Sequence, residues 1–394
     1  MALPTLTQSP TDPDFVQDPY PFYARARALG PLFYWADYAM PATTTFAATR
    51  AILRDRRFGR APLVVEDPPA HLAPFHAVEQ HSLLQLEPPD HTRLRGLILR
   101  AFTSRRITAL VPEIEAMCHA RIDAFPDGPF DLLPAYATPI PVAVICRLLG
   151  VPQAVAGDLL RWSNTMVAMY QARRDRKIED AAAQAATEFS DFLKGYIDQR
   201  RKAPGDDLIT QLIAAEEDGA RLSTDELISI CILLLNAGHE ATVHTIGNGA
   251  KALIAARAPA DAFTDDRIEA TVEEVMRYDP PLHIFTRIAY EDMELFGHPI
   301  RRGDEVACLL AAAAHDPAET ARPDVLDLAR PAPQHLSLGA GLHFCVGAPL
   351  ARLELQIALR ALFTRCPDLR ITDTPRYANL YHFHGLEALM VTRD

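Results

Sequence analysis

Cys345 stands in "LGAGLHFCVGAPLARLEL" (338–355), with Gly339, Gly341 and Gly347 around it and a helical pattern directly after it. Glycine tolerates unusual φ and lets backbone approach a flat ligand closely. A cysteine just ahead of a helix N-terminus feels the positive end of the helix dipole, and nearby amides can point at its sulfur. Both favour thiolate over thiol. A lone thiolate in such a loop suits the axial position of a haem iron, because the porphyrin supplies the other donors. A small buried core side chain would also fit, as for most free cysteines. A second stretch, "LLLNAGHEAT" (233–242), sets Asn236, His239 and Glu240 into an apolar helix. A buried, unpaired carboxylate is costly, so Glu240 either lies on a solvated face or meets something that compensates it. In "EEVMRYDPP", Glu274 and Arg277 stand at i, i+3 and can pair on one helix face.

These residues need elements to hold them. The chain has 394 residues, 49 % apolar and 23 % charged, which is the composition of a soluble globular protein. Its 32 prolines are scattered and read as helix stops. The net charge of −12 excludes a typical nucleic-acid binder, which needs a basic surface. The start, "MALPTLTQSPTDPDF", lacks the pattern of a signal peptide. The apolar run near "ISICILLLNAG" is too short to span a bilayer. A cytoplasmic protein with no membrane partner is therefore expected. Cys118, Cys146, Cys231, Cys308, Cys345 and Cys366 show no zinc-type spacing and are expected as free thiols.

The patterns predict a helix at 19–30, two strands to about residue 47, and a short helix ending near Asp55. Residues 56–89 show no clear period and are expected as a long loop. Helices follow to about 277. "STDE" at 223–226 is a capping-box start, opening a helix that runs to about Ala256, about 50 Å at a rise of about 1.5 Å per residue. After Pro281 the chain alternates as strands, then forms a last helix at 349–363 and a strand-rich tail. With no repeat and no linker, one domain over 1–394 is expected, mainly α with a smaller β region, behind a flexible leader at 1–18.

The motifs together resemble the cytochrome P-450 family, in its soluble bacterial form. Gly339, Gly341, His343, Cys345 and Gly347 match its cysteine-ligand loop, with Leu338 where Phe is usual. "EEVMRYDPP" resembles its Glu-x-x-Arg helix, and "AGHEAT" its central-helix signature. "DHTRLRGLILRAF" and "FTRIA" look like the elements that bring cations to the haem propionates. The motifs occur in the family's order over essentially the whole chain.

The resemblance implies haem b, iron protoporphyrin IX, between a long central helix and the cysteine loop. Cys345 would be the metal ligand. His91, Arg95, Arg287 and His343 would serve the propionates, while lone residues of these types are otherwise often exposed. Ala237 and Gly238 would keep the central helix thin above the ring, with Gly238 permitting a local opening where water enters. Glu240 would relay protons. The family's usual Thr is replaced by Ala241, and Thr242 is turned away by about 100°. Glu274 and Arg277 would form a structural pair bracing the cysteine loop, with a third Arg expected from "RPDVLDLARP", where Val325 takes its place. Leu234, Ala237, Leu282, Ile284, Phe285 and Phe383 would line the substrate pocket. His283, His382 and His384, with Arg173 and Arg174, are extra polarity there, either on surface loops or facing a polar substrate group. Arg100, Arg105, Arg106, Arg352 and Arg360 would offer a footprint for an acidic ferredoxin, or are scattered solvated arginines.

The implied reaction is insertion of one oxygen atom from O2 into a small organic substrate, with electrons from a ferredoxin-type donor and its reductase. A peroxide-driven oxygenase or oxidative coupling enzyme is the alternative. A haem sensor without turnover is a further one.

Overall fold

Ser223 starts the element around which the rest is arranged. Its hydroxyl accepts from the Glu226 amide at 3.2 Å, and the Glu226 carboxylate accepts from the Ser223 amide at 2.7 Å. This capping box satisfies two otherwise orphaned donors. The helix it opens, Thr224–Ala255, has 32 residues and spans about 48 Å. In this computed structural model, which describes residues 3–64, 67–170, 174–217, 220–380 and 383–393, it packs against the helices Pro139–Leu149, Ala156–Val167, Ile268–Tyr278 and Ala348–Arg365. Among the described residues it is the one helix long and apolar enough to cross a membrane, and 61 % of its apolar window is buried inside the protein. The apolar run is therefore longer than the sequence suggests, and the partners around it account for its composition.

The largest sheet of the β region has six strands, and the other sheets among the described residues have two or three. The six strands run in the order Thr5–Leu6, Leu32–Trp35, Met40–Thr43, Glu305–Leu309, Ile284–Ala289 and Phe58–Gly59. Arg287 is set opposite Val306, and Phe285 opposite Cys308.

The leader expected at 1–18 is not free in the structure. Thr5 and Leu6 pair with Tyr34 and Trp35. Asp12 then caps a short helix, Pro13–Gln17, by accepting from the amides of Asp14 and Phe15. Phe15 is buried against Phe22, Tyr23 and Trp35 in edge-on contacts. Aromatic burial, invisible in a proline-rich start, fixes this segment. The 56–89 stretch also carries structure: the strand Phe58–Gly59 and a helix, Ala73–Glu79.

Candidate active site

The cysteine loop folds as it does because two glycines take left-handed backbone, Gly339 at φ 72° and Gly341 at φ 70°. A Cβ on Gly341 would lie 2.3 Å from the Leu53 carbonyl oxygen, so only glycine lets the loop pass the helix Phe46–Arg54. The Cys345 amide donates to Leu338 O at 3.0 Å, and the Leu338 side chain packs on the main core. The helix Ala348–Arg365 begins just beyond. Burial pushes the Cys345 thiol up, while the amides of Gly347 and Ala348 and the nearby Arg95 and Arg352 pull it down. The sulfur is thus provided with donors for an anion in a place that disfavours a bare one, which is the setting of a metal-bound thiolate.

A row of nitrogen donors leads away from it. His91 is fully buried and neither ring nitrogen has a partner. Burial, with His343 and Arg95 beside it, pulls its pKa to about 4. Its ring centre lies 4.5 Å from that of His343, and His343 Nε2 is 3.0 Å from Glu87. Arg95 sits one turn on from His91 and feels Cys345. Arg287 is buried on its strand, donating to Thr286 O at 2.8 Å. Arg60, which the sequence reading missed, belongs to the same group. Its Nε is buried without a partner, and burial and the neighbouring Arg287 hold its pKa down to about 10. Its backbone amide donates to Glu87 at 2.7 Å. Buried polar groups left unpaired are expensive, and the donors His91 and Arg60 fit two carboxylates of a bound ligand. The residues present therefore fit a haem.

The middle of the central helix is unusual. Most of its residues are buried, yet Leu233, Leu234, Ala237, Gly238, Glu240, Ala241 and His244 all keep partial exposure. Spacings of three and four place them along one side, so this side faces open space while the rest is packed. Ala237 is the most open position of the set. The helix is continuous here, without the local opening expected at Gly238. A Cβ on Gly238 would lie 3.1 Å from Ile145, so its small size serves packing against the helix Pro139–Leu149. The Thr242 hydroxyl donates to Gly238 O at 2.9 Å, and that of Thr245 donates to Ala241 O at 2.7 Å. Glu240 is not on a solvated face. Its side chain is 16 % exposed, one oxygen is buried without a partner, and the other lies 3.9 Å from His244 Nε2.

Around the pocket, Leu282 bridges to Phe383, and the Phe285 ring reaches within 3.4 Å of where a Gly339 Cβ would be. Ile284 does not join them. It packs into the aromatic cluster of Phe15, Phe22, Tyr23 and Trp35, because it precedes Phe285 on the strand Ile284–Ala289 and so faces the other side. His283 and His384 are buried and not on surface loops, and each Nδ1 has a side-chain partner. His283 Nδ1 meets the Tyr23 hydroxyl at 3.0 Å, and His384 Nδ1 meets Asp279 at 2.9 Å. Asp279 further accepts from Tyr20 at 2.9 Å and from Tyr377. Burial alone would raise this carboxyl, but His384, Lys251 and Tyr377 outweigh it and hold it well below the usual range. Asp279, His283 and His384 bring potential ligand atoms within 4.8 Å of one another, and Asp279 is already met by those donors. Arg174 pairs with Glu179 at 2.9 Å. His382 and Arg173 lie outside the described residues.

The expected brace is present with a different third member. Arg277 and Glu274 are both fully buried and joined by two bonds of 2.8 Å. Arg277 also donates to the carbonyls of Ala314, Pro323 and Val325. The second cation is Arg330, whose Nε lies 3.2 Å from Glu274. Arg322 instead pairs with Asp327 at 2.9 Å. Of the arginines expected on the cysteine side, Arg106 pairs with Asp206 at 3.2 Å, Arg352 with Glu273 at 2.6 Å and Arg360 with Asp265 at 2.6 Å. Much of that positive charge is compensated within the chain.

The family model described as Cytochrome P450 matches residues 268–368. The chain is 37 % identical to "Cytochrome P450 monooxygenase PikC" of Streptomyces venezuelae, over 98 % of this chain and 94 % of that one. It is 34 % identical to "Biotin biosynthesis cytochrome P450" of Bacillus subtilis, over 98 % and 99 %. Among solved structures it resembles P450BioI in complex with a hexadec-9Z-enoic acid ligated acyl carrier protein. The TM-score is 0.91 at 34 % identity, covering 96 % of this chain and 99 % of that one. With the glycine-bounded cysteine loop, the buried unpaired donors and the open helix side described, the chain belongs to the cytochrome P450 family and is an oxidoreductase of the haem-thiolate monooxygenase kind.

Proposed function

We propose that the protein inserts one oxygen atom from O2 into a small organic substrate, using haem b and electrons from a ferredoxin-type donor with its reductase. The observation that carries this reading is the run of unsatisfied buried donors, His91 and Arg60, beside a cysteine that two backbone amides address. Haem b bound there supplies the activation of O2 with two electrons and two protons.

The chain's own residues do the rest. Cys345 holds the iron. His91, Arg95, Arg287 and Arg60 hold the charged edge through charge-assisted bonds, with His343 fixed against Glu87 beside them. Ala237 leaves room above the ring. Leu234, Leu282, Phe285 and Phe383 present an apolar wall that orients the substrate and excludes water. Glu240 keeps a proton-carrying group at the open side of the helix. In this reading the protein works in the cytoplasm, with its long apolar helix serving as core.

Ala241 favours a second reading, a peroxide-driven oxygenase, since the usual hydroxyl beside the acid is missing. Isotope labelling separates the two. A compound that shifts the haem spectrum is incubated with ¹⁸O2, a plant-type ferredoxin and its reductase. Label in the product supports the monooxygenase. Product formed only with added hydrogen peroxide overturns it in favour of the second reading.

A further inference from the structure

Resting on that monooxygenase reading, we propose that His244 takes over from the alcohol missing at residue 241, forming with Glu240 an imidazole–carboxylate relay that carries protons to the open side of the central helix.

The nearest hydroxyls are not free to act. Those of Thr242 and Thr245 are both donated back to helix carbonyls. His244 stands one turn beyond Glu240 on the same partly open side. Its Nε2 lies 3.9 Å from Glu240 Oε1, and neither Nε2 nor Glu240 Oε2 has a hydrogen-bond partner. That separation is too long for a direct hydrogen bond and suits one shared water or a small side-chain shift. The two side chains are only 13 % and 16 % exposed, so their attraction is weakly screened by salt.

The imidazole is also held in place. A Cβ on Gly385 would fall 2.0 Å from His244 Nδ1, so the glycine is what lets the C-terminal tail lie against the ring. Phe383, one of the pocket residues, has its ring centre 5.8 Å away. His244 thus joins the acid on the helix to the wall of the pocket. The titratable neighbours are His239, which interacts with both members, and on the tail His384, whose Nδ1 is already engaged by Asp279. Phe383 and Gly385 bring no charge.

The step is a simple proton transfer. The imidazolium passes its Nε2 proton to the Glu240 carboxylate and becomes neutral. The protonated Glu240 releases that proton into the cavity. Solvent water returns a proton to His244, and no other bond changes.

The test uses full-length, haem-loaded protein as wild type, His244→Asn, Glu240→Gln and the double variant Ala241→Thr/His244→Asn. NADPH consumption is followed with a plant-type ferredoxin and its reductase from pH 5.5 to 8.5. The His244 ring resonances are followed by NMR in the reduced, CO-bound protein, which is diamagnetic. Glu240→Gln should move the His244 ring resonances, because the ring loses the acid beside it. His244→Asn should slow NADPH consumption roughly tenfold, below the usual effect of losing a general acid, since Glu240 still reaches water. It should also remove the fall in rate with rising pH, and the double variant should regain most of the rate. A His244→Asn protein with the wild-type rate and pH profile overturns the relay, as do His244 ring resonances indifferent to Glu240→Gln. A wild-type protein without a red-shifted Soret band as the reduced CO complex would overturn the monooxygenase reading itself, a distinct result.

Discussion

Arg330 reaches back to Glu274, its Nε 3.2 Å from Glu274 Oε2, and so supplies the second cation on a carboxylate whose two oxygens Arg277 already grips. The chain between them is held by Arg277, which takes the carbonyls of Pro323 and Val325, while the Asp327 amide donates to Glu274 at 2.8 Å. The segment 323–330 is therefore fastened at one buried carboxylate and its arginine.

Removing that carboxylate should be severe. Glu274→Gln leaves Arg277 buried without its charge partner and should cost about 3–5 kcal/mol of stability. Arg330→Ala keeps the Glu274–Arg277 pair and should cost about 1–3 kcal/mol. Urea unfolding of the haem-loaded protein measures both. Equal losses in the two variants would contradict the ranking.

Arg60 should matter for holding the cofactor and little for folding. Its Nε is a buried donor without a partner inside the chain, and one charge-assisted bond corresponds to about tenfold or more in affinity. Arg60→Ala should speed haem transfer to an excess of apomyoglobin by about tenfold. Transfer at the wild-type rate would remove Arg60 from the propionate group.

His239 gives a pH prediction. It is buried, neither ring nitrogen has a partner, and burial pulls its pKa to about 4, well below the ordinary 6.5. The unfolded chain binds this proton below about pH 6.5, whereas the folded chain refuses it until about pH 4. The proton linkage therefore destabilises the fold as pH falls through that window, and adds no pH-dependent cost above it. His239→Leu should be more stable than wild type by about 2 kcal/mol at pH 5 and show little of this gain at pH 7.5. Thermal unfolding at the two pH values measures it, and a gain independent of pH would contradict it.

Parts of this architecture were legible in the sequence because one local rule decided them. Ser223 and Glu226 announce the central helix, and the glycines around Cys345 announce the loop. Glu274 and Arg277 are a turn apart and pair wherever their helix goes. The misses share a different cause. Arg330 finds Glu274 only because the intervening loop is folded back, with Arg322 in the left-handed region at φ 49°, and no spacing rule predicts that return. Arg60 sits in a stretch without period, yet the short strand Phe58–Gly59 delivers it to Arg287 by pairing with Ile288 and Ala289. The resemblance puts Ile284 in the pocket beside Phe285, but consecutive residues of a strand face opposite sides. The ordering of the N-terminal segment depends on where Phe15 lands, which only the packed sheet reveals.

The account's central claim is that Cys345 binds haem iron as a thiolate. It is tested most directly by the difference spectrum of the reduced, CO-bound protein, with Cys345→Ser as control. A red-shifted Soret band in the wild type that the variant loses is the predicted result. Well-folded, haem-loaded wild-type protein without that band would contradict it.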